Sequence, residues 1–134
     1  MTFTYSEFFK EIEDDLTLHK HDIDEKVYRA PNVHNKILRR FMIERNKLQK
    51  LETEYNKVLK SLYHHYRYEG DIRCENKDIA MFYVKSDQKY INIQIEYQKQ
   101  ELLVENLERW LKKADKISFD IKNIIEYLKW SSGI

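Results

Sequence analysis

The chain has 134 residues, the usual size of one domain, and it contains only two glycines and one proline. Charged residues make up 35% of it and the net charge is +1, a composition that favours solvated helices over sheets and loops. A single cysteine excludes an internal disulfide framework. No stretch approaches the roughly 18 apolar residues of a membrane span, and no basic start followed by an apolar run marks a signal peptide. We therefore expect a soluble, cytoplasmic, helical protein.

The net charge hides an asymmetry along the chain. Residues 1–31 carry a net charge of −4, residues 32–68 carry +6, and residues 69–134 carry −1. A basic segment of this kind indicates an anionic partner. The alternative is that the acidic start packs against the basic segment and neutralises it.

The first predicted helix lies in the acidic N-terminal segment, 1–31. Thr4 and Glu7 have the spacing of a capping box, and apolar residues recur every four positions at Phe8, Ile12 and Leu16. The stretch "TLHKHDID" breaks this period, and "IDEKVYRA" is predicted to form at most a short helix.

Pro31 separates that segment from a long basic helix predicted over 32–69, with Asn32 as its cap and Gly70 as its stop. At about 36 residues this helix would be roughly 54 Å long. Its apolar residues form a heptad seam, interrupted by Glu44. The seam residues are Ile37, Phe41, Leu48, Leu51, Tyr55, Val58 and Leu62.

Residues 70–85 are predicted to be a connection that packs back, because the apolar cluster at 79–84 is too compact to assign to a helix or a strand. A second long helix is predicted over 86–116, with a heptad seam in which Gln100 is the exception. The members of this second seam are Tyr90, Ile93, Tyr97, Val104, Leu107, Leu111 and Ala114.

A last helix is predicted over 118–131, capped by Ser118 and closed by Gly133. Its apolar face is wide for a terminal helix, so we expect it to be buried against another subunit. The candidate oligomerisation residues are Phe119, Ile121, Ile124, Ile125, Leu128 and Trp130. The predicted fold is thus a single all-α domain over 1–134, a long antiparallel helical hairpin with shorter helices at its ends. Two seams favour self-association, unless one hairpin pairs both within a single chain.

No catalytic pattern is present, so we do not expect an enzyme. The sequence contains neither a glycine-rich phosphate loop nor a serine nucleophile elbow. His19 and His21, like His64 and His65, lack the i, i+4 spacing that places two imidazoles on one helix face. We therefore predict no metal site and no cofactor.

The basic helix carries two cationic stripes at helical spacing. One contains Lys36, Arg40 and Lys47, and the other contains Lys50, Lys57 and Lys60. Aromatic residues follow both stripes. A row of cationic side chains that ends in aromatic rings is typical of proteins that bind single-stranded nucleic acid. The rings could equally pack between helices, which leaves open a coiled-coil adaptor that binds only proteins.

Four stretches resemble one known family. They are "APNVHNKIL" at 30–38, "KSLYHHYRYEGD" at 60–71, "IEYQKQELLVENLERWLK" at 95–112 and "SFDIKNIIEYLKWSSG" at 118–133. In this order they resemble the UvsY family of recombination mediators of T4-like bacteriophages, over about residues 10–134.

The resemblance implies a non-enzymatic protein of the host cell cytoplasm that binds single-stranded DNA. It would help a RecA-like phage recombinase displace the phage single-strand-binding protein, and it would form a ring of six or seven copies. The family has a DNA-binding lysine where this chain has Lys60, and tends to have an arginine where this chain has Leu62. We expect neighbouring basic residues to compensate. The candidate DNA-binding residues are Lys47, Lys50, Lys57, Lys60, Tyr63, His64 and Arg67.

Overall fold

The computed structural model describes residues 2–17, 23–70 and 76–133. Over these ranges the chain forms α1 (Tyr5–Leu16), α2 (Ile23–His64), α3 (Lys77–Ser86) and α4 (Gln88–Ser131), with a π-helical turn at His65–Glu69 that continues α2. The all-α prediction is confirmed, since no described residue lies in a strand. None of the described helices combines the length and the apolar composition that crossing a bilayer requires.

The chain divides into two compact units. The terminal unit comprises Met1–Phe41 with Asn106–Ile134, and the central unit comprises Met42–Glu105.

In the terminal unit, α1 forms as its sequence predicts. The Thr4 side chain accepts a hydrogen bond from the Glu7 N–H at 3.4 Å, and the three apolar residues of the i, i+4 pattern are buried. Acidic side chains of α1 reach the basic helix α2, where Lys36 Nζ lies 2.6 Å from Glu11 Oε1 and Arg29 lies 3.0 Å from Asp15. The acidic start therefore neutralises part of the basic helix.

The predicted helix boundary at Pro31 is wrong, because α2 begins at Ile23 and runs through the proline. A proline in a helix interior removes one backbone hydrogen bond and costs about 3 kcal/mol. Packing on both sides of Pro31 offsets this cost. Val33 and Ile37 are buried, and Lys26 Nζ donates to the Asp14 carbonyl at 2.7 Å.

Two further boundaries differ from prediction. The connection over 70–85 contains α3, whose cap Asn76 accepts a hydrogen bond from the Asp78 N–H at 2.8 Å. The last helix is not separate, because α4 is continuous to Ser131. Ser118 is not a cap. Its hydroxyl donates back to the Ala114 carbonyl at 3.0 Å, a bond that serine can make inside a helix without ending it.

In the central unit the two heptad seams face each other, antiparallel. Tyr55 contacts Tyr90 and Tyr97, with ring centroids 5.7 and 5.5 Å apart. The two polar exceptions also meet: Gln100 Nε2 donates to the Glu44 carbonyl at 2.9 Å and to Glu44 Oε2 at 2.6 Å. Unpaired seams therefore give no reason for self-association here, because a single chain pairs them.

The π-helical turn is joined to the start of α4. The Tyr66 hydroxyl donates to Asp87 Oδ2 at 2.6 Å, and Asp87 Oδ1 accepts from the Lys89 N–H at 2.8 Å. The hydrogen bond from Tyr66, followed by that from Lys89, lowers the pKa of Asp87. The same bond to Asp87 raises the pKa of Tyr66. One carboxylate thus caps α4 and holds the end of the basic helix against it.

The contact between Glu44 and Gln100 predicts that substitutions at these two positions have non-additive effects on the free energy of unfolding. Gln100→Leu should lower the free energy of unfolding by about 1–3 kcal/mol, because it leaves a buried carboxylate short of a donor. Glu44→Leu combined with Gln100→Leu should cost less than the sum of the two single changes, since no unpaired polar group remains. Urea unfolding at fixed protein concentration measures both effects. Gln98→Leu, at an exposed position of α4, is the control; additive costs would contradict the coupling.

The bond between Tyr66 and Asp87 predicts a pH-dependent stability difference. Tyr66→Phe should cost about 1–3 kcal/mol at pH 7. Because the pKa of Asp87 is lower in the folded state, its contribution is complete above the unfolded value near about 4 and is lost as pH falls through the folded value. The difference should therefore shrink in acid. It should also shrink in strong alkali, as pH rises through the raised pKa of Tyr66.

The control is Tyr83→Phe, and thermal unfolding across pH follows both variants. The Tyr83 hydroxyl makes no hydrogen bond to any residue in the described ranges. Equal pH profiles for the two variants would refute the role of the Asp87 carboxylate.

Candidate nucleic-acid interface

Three lysines form an exposed stripe on α2, here called the lysine stripe: Lys50, Lys57 and Lys60. Each lies two residues after a seam residue, about 200° around the helix from Leu48, Tyr55 and Val58 respectively, and Lys50 and Lys57 also lie one residue before Leu51 and Val58. All three side chains are exposed. None of the three forms an ion pair with a residue that the structure describes.

The other predicted stripe is engaged within the chain. Lys36 pairs with Glu11, and the Arg40 guanidinium lies 3.8 Å from the centroid of the Phe3 ring. Lys47 is also exposed, but its Nζ lies 3.4 Å from Glu44 Oε1. This ion pair separates Lys47 from the three lysines of the stripe.

The residues that follow the stripe have different environments. Tyr63 is half-buried and packs against the core cluster of Leu62, Val84 and Tyr90. His64 is exposed, with Nδ1 3.2 Å from Glu69 Oε1. Leu62 is only 7% exposed, so an arginine at this position would place its charge in the core. Leu62 is therefore a core residue of the seam in this chain.

Three rings near the π-helical turn face solvent: Tyr68 is 58% exposed, Phe82 69% and Tyr83 40%. Tyr83 stacks on Tyr66, with centroids 5.8 Å apart and planes 20° apart, and Phe82 contacts Tyr83 at 6.1 Å. Phe82 and Tyr83 are not among the candidate residues predicted from the sequence. Ile79, Phe82 and Tyr83 have i, i+3, i+4 spacing, a signal that could have found this helix face.

A cleft of about 280 Å³ in the central unit is poorly suited to phosphate. It is lined by Glu52, Tyr55, Asn56, Gln94, Tyr97, Gln98 and Glu101. Burial, and then the charges of Glu52 and Glu101, raise the pKa of Tyr97. The hydrogen bond with Tyr90, and then burial, raise the pKa of Tyr55 to about 12. Both tyrosines therefore stay neutral at physiological pH, and the two carboxylates make the cleft anionic.

The predicted oligomerisation face divides into two sets. Phe119, Leu128 and Trp130 are 63%, 54% and 78% exposed. Ile121 is buried, and with Ile125 it lines a largely apolar cleft beside Ala30 and Pro31 in the terminal unit. Ile124, like Ile125, is half-buried, so the first set carries most of the exposed apolar surface.

Among the described residues, no three histidine, cysteine or acidic side chains are grouped as metal ligands would be. His19, His21 and Cys74 lie outside the described ranges.

The chain is similar in fold to solved structures of the bacteriophage T4 recombination mediator protein UvsY. In two crystal lattices the TM-score is 0.80, at 14% and 12% identity, and the match covers 98% and 96% of this chain and 99% of the T4 chain. In a third lattice the TM-score is 0.74 at 15% identity, with 93% of this chain and 98% of the T4 chain covered. No curated protein sequence gives a significant match.

The family model described as "Recombination, repair and ssDNA binding protein UvsY" matches residues 11–134, nearly the whole chain. This match confirms the resemblance carried by the four sequence stretches, and the chain belongs to the UvsY family.

Proposed function

We propose that this protein is a recombination mediator that binds single-stranded DNA and helps to load a RecA-like phage recombinase onto DNA coated by the phage single-strand-binding protein. Membership of the UvsY family supports the general role. The observation that carries the DNA-binding part is the lysine stripe, three cations that face solvent without an acidic partner among the described residues.

In this mechanism Lys50, Lys57 and Lys60 contact successive phosphates. Lys50 and Lys57 lie two turns apart and Lys60 one turn further, so the stripe spans about 15 Å along the helix. His64 extends it by one more turn, and Arg67 adds positive charge at the helix end. Tyr63 supports this surface by packing beneath it. Lys47 contributes less, because Glu44 offsets its charge.

Three lysines give weak binding, and repetition around an oligomer strengthens it. One strand that contacts several subunits gains affinity through effective concentration, without any new contact. A strand held in this way would be bent away from the protein that coats it, and would become available to the recombinase. We propose a ring-like homo-oligomer of six or seven copies, assembled through Phe119, Leu128 and Trp130 with support from Ile121, Ile124 and Ile125.

A helical adaptor that binds only proteins is the second candidate function. The exposed apolar side chains at the end of α4 favour it, because they can receive a protein as readily as a second copy. Salt dependence separates the two functions. Binding to phosphates falls linearly with salt on logarithmic axes, by about 0.7 per phosphate on single strands.

Lys57→Ala combined with Lys60→Ala should weaken binding to a single-stranded oligonucleotide and make the salt slope less steep by about 1.4, as two phosphate contacts are lost. Fluorescence anisotropy across a salt series measures both quantities. The matched control is Lys36→Ala with Lys112→Ala, which removes the same charge from lysines already paired with Glu11 and Glu108.

An equal loss in the control would mean that binding follows net charge and not the stripe. No binding by the wild type at low salt would favour the adaptor. Dissociation of the oligomer by the stripe variant would assign Lys60 to assembly.

Leu128→Glu combined with Trp130→Glu should dissociate the oligomer, because charges would replace exposed apolar contacts. Both side chains face solvent, so the helix itself should remain folded. Leu102→Glu, at a 66% exposed position of the same helix, is the control. Sedimentation velocity reports the change. An unchanged sedimentation coefficient would place the subunit contact elsewhere.

A further inference from the structure

The aromatic side chains around the π-helical turn differ in exposure: some point into the central unit and one faces solvent. Tyr63 and Tyr66 point into the central unit, one against the core cluster and the other onto Asp87 and Tyr83. Tyr68, two residues further, is 58% exposed. A π-turn takes about one residue more than an α-turn, and such turns are frequent at functional sites.

Tyr68 continues the lysine stripe. Lys57, Lys60, His64 and Tyr68 follow one another at steps of three or four residues, which lie along one side of the helix. The contact between His64 and Tyr68, with ring centroids 5.2 Å apart, places these two on the same side. Cationic charge accompanies the ring, since the Arg67 guanidinium lies 5.9 Å from its centroid. The stripe therefore ends in an exposed aromatic ring.

α3 adds two more exposed rings at the same turn. α3 packs against the π-helical turn, where Tyr83 stacks on Tyr66 and Phe82 contacts Tyr83. Phe82 is 69% exposed, although burial of a phenylalanine is normally favourable. Its exposure indicates a surface that is covered when a ligand binds.

We propose that Phe82 and Tyr83 form an aromatic platform on which bases of a bound single strand stack, and that Tyr68 is a separate stacking ring at the end of the lysine stripe. This inference rests on the proposed DNA binding and assigns a second role within it. The lysine stripe holds phosphates, and the platform holds bases. Bases fit these rings better than an aliphatic partner does, because rings predominate among the exposed side chains and the Arg67 guanidinium lies beside Tyr68. Stacking is tolerant of sequence, as a protein that handles any single strand requires.

The test compares two probes of equal length and charge with the full-length protein: oligothymidylate, and an abasic oligonucleotide that has phosphates but no bases. Phe82→Ala should weaken binding of oligothymidylate by about 5- to 100-fold and leave binding of the abasic strand unchanged. Phe82→Trp should retain affinity, because it keeps a ring. Lys57→Ala with Lys60→Ala should weaken binding of both probes.

The matched control is Ile79→Ala. Ile79 is 51% exposed on the same face of α3 and has no ring. Stacking predicts no effect of this change on either probe, whereas a general apolar contact predicts a loss similar to that of Phe82→Ala. A similar loss would overturn the platform.

The remaining outcomes separate the platform from the proposed function. Equal wild-type affinity for the two probes would overturn the platform and leave phosphate binding in place. A Phe82→Ala protein with an altered sedimentation coefficient, and with equal loss on both probes, would make this face a subunit interface and overturn the platform. A wild type that binds neither probe would overturn both the platform and the proposed DNA binding.

Discussion

A single polar contact between the two long helices constrains the central unit. Glu44 is 4% exposed, and its carboxylate is tolerable there because Gln100 donates to it from the opposite seam while Lys47 approaches from the flank. Any other register would leave both polar side chains facing apolar residues. Leucine at both positions would bury more apolar surface but would allow the helices to slide, as buried polar residues in coiled coils show. The contact therefore selects one alignment.

That alignment determines which surface is left for a ligand. Once the seams face each other, residues about 200° from them face solvent, and in the second half of α2 these include Lys50, Lys57 and Lys60. Lys47 differs from Lys50, three residues later, because Lys47 is paired with the Glu44 carboxylate. The position of the lysine stripe on the outer side of α2 is thus a consequence of how the seam is packed.

The end of the basic helix combines rigidity with exposure. Asp87 accepts a hydrogen bond of 2.6 Å from Tyr66 and also caps α4. Its carboxylate therefore connects the π-helical turn to the junction between α3 and α4. A surface that is held in place in this way loses less conformational freedom when it binds a partner. In the terminal unit, by contrast, acidic side chains of α1 form ion pairs with basic side chains of α2. Its exposed large apolar side chains include Leu128 and Trp130 at the end of α4.

Much of this protein was determined by its sequence alone. The all-α class, the cap at Thr4, both heptad seams and their polar exceptions, and membership of the UvsY family all followed from local spacing and from four stretches in order. Tertiary structure decided that Pro31 lies inside a helix, that Ser118 continues one, that Glu44 meets Gln100, and that Phe82 is exposed. The physical reason is that periodicity describes one helix by itself. Whether a charge is paired, a ring is covered or a proline is tolerated depends on the residues that a second element brings opposite it.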